Sequence, residues 1–511
     1  MQAEAHEHES ISAASIWAGL SLIALATVVM HAAAPINHDV AWFLEGAGRL
    51  LEGGRFGRDF VDPNPPMVLW LGAIPVALAR WAGIGVAGPA AAFPAIIVLA
   101  SVLLTDAVLA RGSLPERSRR ELMFFAGAFL LIAPGYDYGQ REHLMLAAAL
   151  PYVAAASVRA EDRPLSWRLA AGAALFSAFG FCLKPYFVAI PCVVELWLMV
   201  KTRSLRRGMR AETLVLAVTI VGYAAALVAF WPDYVFGVLP DAATGYWALN
   251  SSFATVAFNL AVTTVPPLIA AVILARGGAR NMIPAMAQAM WAAGVGAFVV
   301  ALLQMKGWSY QLLPGVGFAF IGCATIFVVL DKAERRRPLA AAAIALLLVT
   351  GFAPSARDAW QLMRGDDTVD RVGRLSSVFR AYAGKAGPVF AFITSPRDIH
   401  PAVLASGTRW IGSTCCVYLL PSALRADELD ADHAARARGA AQRQLADAIA
   451  RIAAERPAVI AIDANREKLG FGDAPFDYLA YLLQDARFAT LWQAYAERPA
   501  IDGFRIFVRA P

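Results

Sequence analysis

Charge is concentrated in one stretch near the start of the chain. Residues 37–70 read NHDVAWFLEGAGRLLEGGRFGRDFVDPNPPMVLW, with Asp39, Glu45, Glu52, Asp59 and Asp62 set among Arg49, Arg55 and Arg58. Trp42, Phe43, Phe56 and Phe60 lie between them. A loop that only joins two membrane helices needs none of this. Acidic groups at a bilayer surface, with Arg and aromatics beside them, suit the handling of a charged lipid headgroup. The competing reading is an amphipathic interfacial segment whose charges are solvated.

Asp39 follows the first apolar run directly. A carboxylate placed there can take the proton of an attacking hydroxyl, a role worth about 10²–10⁴ in rate; alone, it also fits a solvated residue flanking a helix. Arg141 and Glu142 follow Pro134-Gly135 and open an apolar run. Ionisable groups at such a break are functional or mutually paired. The adjacent His143 fits a structural histidine as well as a ligand. Lys184 lies deep in apolar sequence, between FSAFGFC and PYFVAIP, and needs an anionic partner. A lipid phosphate or Glu195 would serve. Lys306, Trp308 and Tyr310 open a further helix, as substrate contacts or as an aromatic belt with a snorkelling Lys. No Gly-rich phosphate loop, Cys/His zinc spacing or Ser-His-Asp order occurs. No cofactor is expected. His38, Asp39 and Glu142 leave a divalent metal open, but carboxylates and one His are not a specific ligand set.

The elements that must position these residues are membrane helices. The 511-residue chain is 59% hydrophobic and 16% charged, an integral membrane composition. Apolar runs long enough to span recur from about residue 16 to about 352, and about 11–13 spanning helices are expected. The net charge of +6 carries no nucleic-acid signal. Lys and Arg gather in short loops at 111–120, 159–168, 201–210, 276–280 and 331–337, the pattern that marks cytoplasmic loops. With the N-terminus inside, the first loop (34–65) then falls on the outer side. So do 135–143, 183–186, 231–253 and 304–310. Two full crossings within 66–110 conflict with that placement, so one stretch there is expected to be re-entrant or interfacial, or one basic loop breaks the rule. The acidic, His-bearing start, MQAEAHEHES, lacks the basic region of a signal peptide. The first helix (16–31) is therefore expected to be retained, and His6 and His8 read as a solvated tail. Pro134-Gly135 and Lys184-Pro185 interrupt apolar runs, as at helix breaks that line a polar cavity.

The sequence divides into a transmembrane part, 1–352, and a soluble part, 353–511. The latter reads as a small α/β domain. Strands are expected at 388–394, 457–463 and 503–509, and helices at 430–455, starting at an Asp cap, and 476–483. The five cysteines give no disulfide framework, since Cys415 and Cys416 are adjacent and pair only with strain.

Several segments in order resemble the GT-C membrane glycosyltransferases that use polyprenyl-phosphate sugars, above all the lipid A aminoarabinose transferases and the protein O-mannosyltransferases. These are His38-Asp39 after helix one, the A-x-x-L-L-x-G-like helix at 47–53, and Asn64-Pro65-Pro66-Met67-Val68-Leu69-Trp70-Leu71. They continue with Gly139-Gln140-Arg141-Glu142-His143-Leu144, Gly180-Phe181-Cys182-Leu183-Lys184-Pro185 and Tyr310-Gln311-Leu312-Leu313-Pro314. The resemblance covers about residues 14–350. It implies a polytopic α-helical GT-C-like protein with a small soluble domain appended. It departs at Asn64, where the family has Lys before Pro-Pro.

By resemblance, the chain is expected to be an inverting glycosyltransferase at the periplasmic face of a bacterial inner membrane. It would move a sugar from a polyprenyl-phosphate donor to a hydroxyl on a glycan, lipid or protein acceptor, with membrane lipid as a further partner and no nucleic acid. Asp39 is the expected base and Glu142 its rival. Arg58, Arg141 and Lys184 are the expected phosphate ligands in place of the missing Lys. His38, Asp59, Asp62, Asn64, His143, Lys306 and Tyr310 are expected around the substrate. The alternative of another class is a transporter or flippase with Lys184 at a midplane site. The lack of an internal repeat and the gathering of charge at one face argue against it.

Overall fold

The computed structural model describes residues 13–277, 283–364, 367–472 and 475–510. The His6/His8 tail and most of the 276–280 basic loop lie outside these. Among the described residues, nine helices are long and apolar enough to cross a membrane. Two further apolar helices, Met67–Ala82 and Trp167–Phe181, are shorter. At about 1.5 Å per residue, the 16 residues of Met67–Ala82 reach about 24 Å. That is short of the roughly 30 Å hydrocarbon core, whereas Ala87–Leu109 has 23 residues. The 66–110 stretch thus holds one full-length apolar helix and one short one.

The chain packs as two compact units. The first comprises Met1–Met30, Ala91–Val221 and Phe253–Asp358; the second comprises His31–Ala90, Gly222–Ser252 and Ala359–Pro511.

The first unit is built around Arg141–Ala160, a helix buried almost end to end. It is rich in Ala, which lets neighbours approach closely. A Cβ on Gly180 would stand 2.8 Å from the Ala148 side chain, so only Gly lets Trp167–Phe181 lie this near. Pro151 sits inside the helix and has no N–H to give the carbonyl four residues earlier, Ala147. Ser101 Oγ donates to that carbonyl at 2.5 Å. Ser177 Oγ likewise donates to Ala148 O at 2.6 Å. The Ser101 hydroxyl thus re-satisfies the carbonyl that the proline frees, as apolar surroundings require.

The second unit contains a five-stranded sheet of order β2-β1-β3-β5-β4. The strands are β1 (Pro388–Phe392), β2 (Arg409–Trp410), β3 (Val459–Asp463), β4 (Tyr495–Ile501) and β5 (Phe504–Arg509). β1 runs parallel to β2 and β3, and β5 is antiparallel to β3 and β4. The central strands are near-continuous apolar runs because both faces are covered. The long helix Ala431–Glu455 starts where Asp430 accepts the His433 N–H, as its cap position foretells. Residues 476–483 hold only the short helix Tyr478–Leu482.

The first loop belongs to this same unit. Its helix, His38–Leu51, is capped by Asn37, whose side chain accepts the Asp39 N–H. Leu44 and Ala47 pack with Val76, Ala90 and Leu404. Arg49 donates to Gly412 O at 2.8 Å and also to Trp410 O. Val61 N–H donates to Ser413 O at 2.7 Å. An apolar seam and backbone-directed bonds therefore join the loop to the sheet-bearing domain.

Candidate functional site

The expected site residues fall into two groups, one in each unit. In the second unit, Asp39 stands in the first turn of His38–Leu51, where the helix end favours negative charge. His38 Nε2 lies 3.6 Å from its carboxylate. Asp62 is buried and accepts hydrogen bonds from Trp42 and Asn64. Trp42 Nε1 donates to Oδ2 at 2.8 Å, and Asn64 donates to Oδ1 through its backbone N at 2.8 Å and its Nδ2 at 2.7 Å. The Trp42 ring stacks on Phe60 at 4.1 Å. Asn64, standing where the resembled family has Lys, thus locks the turn before Pro65-Pro66 by binding Asp62. Asp59 accepts the Arg55 N–H at 2.8 Å and shapes the same loop. Arg58 is an exposed side chain that donates to Asp233 at 2.6 Å.

The sheet-bearing domain contributes to the surroundings of Asp39 and Asp62. Tyr246 and Tyr418 have ring centroids 5.3 Å apart. Desolvation, reinforced by the Asp62 carboxylate, pushes both hydroxyls well above their ordinary range. The Cys415 thiol is also held up, first by its bond with Cys416 and by burial, then by Asp62 and Asp39 among other charges. Tyr246, Tyr418 and Cys415 were missed by sequence reasoning. They lie far from the first loop in sequence and match no motif.

In the first unit, Pro134 ends one helix and a short turn carries the chain into Arg141–Ala160. Gly135 takes a positive φ of 51°, and a Cβ there would stand 2.5 Å from Asp358 Oδ2. That carboxylate accepts the Tyr136 N–H at 2.8 Å. Arg141, Glu142 and His143 then occupy the first helical turn, all buried. Lys184 sits in extended backbone between Trp167–Phe181 and the turn Pro185–Val188. Its Nζ meets Glu142 Oε1 at 2.5 Å and Gln304 Oε1 at 3.3 Å. Gln311 Nε2 also donates to Gln304, at 3.1 Å. The Tyr310 ring lies 5.4 Å from the ammonium. The in-chain counter-ion of Lys184 is therefore Glu142. Glu195 is occupied elsewhere, by Arg210 and the Tyr152 hydroxyl.

Glu142 is 1% exposed, and its Oε2 makes no hydrogen bond among the described residues; nor do Gln140 Oε1 and Gln311 Oε1. A buried polar cluster with spare acceptors marks a place where polar chemistry is held in a water-poor setting. Gln304 and Gln311 were not singled out from sequence, although each is a polar residue at the edge of an apolar helix. His143 is fully buried. The Gly139 N–H donates to Nδ1 at 3.0 Å, so Nε2 carries the proton and donates to Leu130 O at 2.8 Å. Both nitrogens hold backbone, which gives this residue a positioning role in the turn. Lys306, between two apolar helices, is buried, and desolvation pushes its ammonium down to about 7.

Among the described residues no three His, Cys, Asp or Glu side chains lie close enough together to hold a metal ion.

The helices, the broken segments and the appended sheet define a polytopic α-helical membrane protein of GT-C fold. The chain is similar in fold to ArnT from Cupriavidus metallidurans, solved in the apo state, with a TM-score of 0.55. The match covers 98% of this chain and 99% of that one at 12% sequence identity. No family model matches the chain, and no curated protein matches it by sequence.

Proposed function

We propose that this protein is a membrane glycosyltransferase. It moves one sugar from a polyprenyl-phosphate carrier to a hydroxyl on a glycan, lipid or protein acceptor, at the periplasmic face of a bacterial inner membrane. The end-to-end fold similarity to ArnT carries this reading. The buried Arg141, Glu142 and Lys184 at the ends of apolar helices support it.

In this reading the acceptor oxygen attacks the anomeric carbon and Asp39 takes its proton. The bond from that carbon to the phosphate oxygen breaks, the configuration inverts, and the lipid phosphate leaves with the electron pair. Lys184 and Arg141, buried and therefore strong electrostatically, stabilise the departing charge. The donor phosphate competes with Glu142 for Lys184, so Glu142 keeps the ammonium aimed until donor arrives. Tyr310 and Lys306 flank the same helix start and contact the phosphate or sugar. His38, Asp59, Asp62 and Asn64 shape the wall around the base. Arg58, exposed and already paired with Asp233, is the weakest of the three phosphate candidates.

The test is transfer of radiolabelled sugar from membrane lipid by Asp39→Asn and Glu142→Gln side by side. Asp39→Asn is expected to lose about 10²–10⁴ in turnover with donor affinity little changed, because the role belongs to the transition state. Near-normal transfer by Asp39→Asn, with loss in Glu142→Gln, moves the base to Glu142. Normal transfer by both ends the carboxylate mechanism.

A further inference from the structure

The proposed reaction leaves one pair of reactive side chains unused. Cys415 and Cys416 are free thiols in the segment that follows β2, with Sγ atoms 3.3 Å apart. Cys416 is buried and Cys415 is partly exposed. The backbone around them is pinned. Cys415 O bonds His400 Nε2 at 2.8 Å, Cys416 O accepts from Gln444 Nε2 at 3.1 Å, and Val417 N–H donates to Ile393 O at 2.9 Å. The same segment grips the first loop through Gly412 O, bonded by Arg49, and Ser413 O, bonded by Val61. Cys415 also lies within the electrostatic reach of Asp62 and Asp39.

That setting sorts the chemistry open to the pair. A standing Cys415 thiolate is penalised, first by the hydrogen bond with Cys416 and by burial, then by the Asp62 and Asp39 charges, which disfavours metal capture. Consecutive Cα atoms stand about 3.8 Å apart, below the roughly 4.4–6.8 Å that disulfides usually span. A bond between neighbours is therefore strained, and strained or exposed disulfides are the labile, regulatory ones.

We propose that Cys415 and Cys416 form a reversible vicinal disulfide, and that its formation repacks the first loop around Asp39 and Asp62. The sulfur of Cys415, the less buried residue of the pair, loses its proton as it attacks the disulfide of a thiol–disulfide oxidoreductase; that S–S bond breaks, a mixed disulfide forms, and one oxidoreductase thiol leaves with the proton. The Cys416 sulfur then attacks Cys415 Sγ, the mixed disulfide breaks, and the second oxidoreductase thiol leaves. In sum, two cysteine thiols lose two electrons and two protons, and the oxidant's disulfide gains them. The supply of that oxidant rests on the periplasmic orientation proposed above; the chemistry of the pair does not.

The experiment takes the full-length protein in lipid nanodiscs through a series of reduced-to-oxidised glutathione ratios. Samples are quenched in acid, alkylated and digested with trypsin. The peptide 410–425 is expected to carry two alkyl groups in reducing buffer. In oxidising buffer it is expected to carry none and to be lighter by two hydrogen atoms, reverting on reduction. Hydrogen exchange on the same samples is expected to change in segment 38–64 as the disulfide forms. Cys415→Ser is expected to abolish that response. Two alkyl groups at every ratio overturn the disulfide. A disulfide with unchanged exchange in 38–64 overturns its coupling to the first loop. Neither readout requires sugar transfer, so failure of the glycosyltransferase reading is seen separately, as no transfer in either redox state.

Discussion

Lys184 and Glu142 form a buried ion pair whose removal should separate structure from function. The contact is 2.5 Å, with side chains 6% and 1% exposed. At an effective dielectric of about 20, two unit charges at that distance attract by about 7 kcal/mol. Desolvation of each ion, worth several kcal/mol, offsets most of this. Breaking the pair from one side is different, because it strands the other charge. Lys184→Met leaves the Glu142 carboxylate buried, while Gln311 Nε2 stays on Gln304 Oε1 and Gln304 Nε2 on Val300 O. The expected cost is about 3–5 kcal/mol, and Glu142→Gln should cost less because it keeps a hydrogen-bond acceptor for the ammonium. The double variant leaves no charge behind, so it should recover most of the loss and give a coupling of about 2 kcal/mol or more. Reversible unfolding in mixed detergent micelles measures all four corners of the cycle. Strictly additive single losses would refute the pairing argument. The double variant carries a second lesson. If Lys184 also receives the donor phosphate, this folded protein should still fail to transfer sugar. Full activity in it would confine Lys184 to a structural role.

Three further outcomes are expected. A reporter active only in the periplasm should be active after Pro511 and silent after Gly208; the reverse pattern would overturn the orientation, and the outer-face site with it. Arg58→Ala should change stability by no more than about 1 kcal/mol, the usual value of an exposed ion pair, and leave transfer close to wild type; a loss beyond about tenfold would return Arg58 to the phosphate site. Lys306, held at about 7 against an ordinary 10.5, binds fewer protons folded than unfolded between those values. Stability should therefore rise with pH through that window, by at most about 5 kcal/mol. Lys306→Met should stabilise the protein more at pH 6 than at pH 10, and a gain independent of pH would refute the desolvation argument.

The membrane character, the breaks at Pro134-Gly135 and Lys184-Pro185, and the α/β nature of the C-terminal residues were all legible in the sequence. Each follows from local facts: the length of an apolar run, a missing N–H, a cap residue, a run of β-branched side chains. β2 and β4 were not legible. β2 has only two residues, and β4 is a largely exposed edge strand reading YAERPAI. The identity of the candidate residues was also local information, because an ionisable group in apolar sequence stands out wherever it lies. Their partners were not. Lys184 lies 42 residues from Glu142, nearer in sequence to Glu195, yet pairs with the former. Asp62 turned out to be held by Trp42 and Asn64, and the first loop to be built into the sheet-bearing domain through Arg49 and Val61. The sequence by itself determined which residues carry charge where charge is costly. Only the tertiary structure decided which of them meet, because that depends on which helix faces close on one another. Many small packing contacts, such as Gly180 against Ala148, set those faces, and no single residue encodes them.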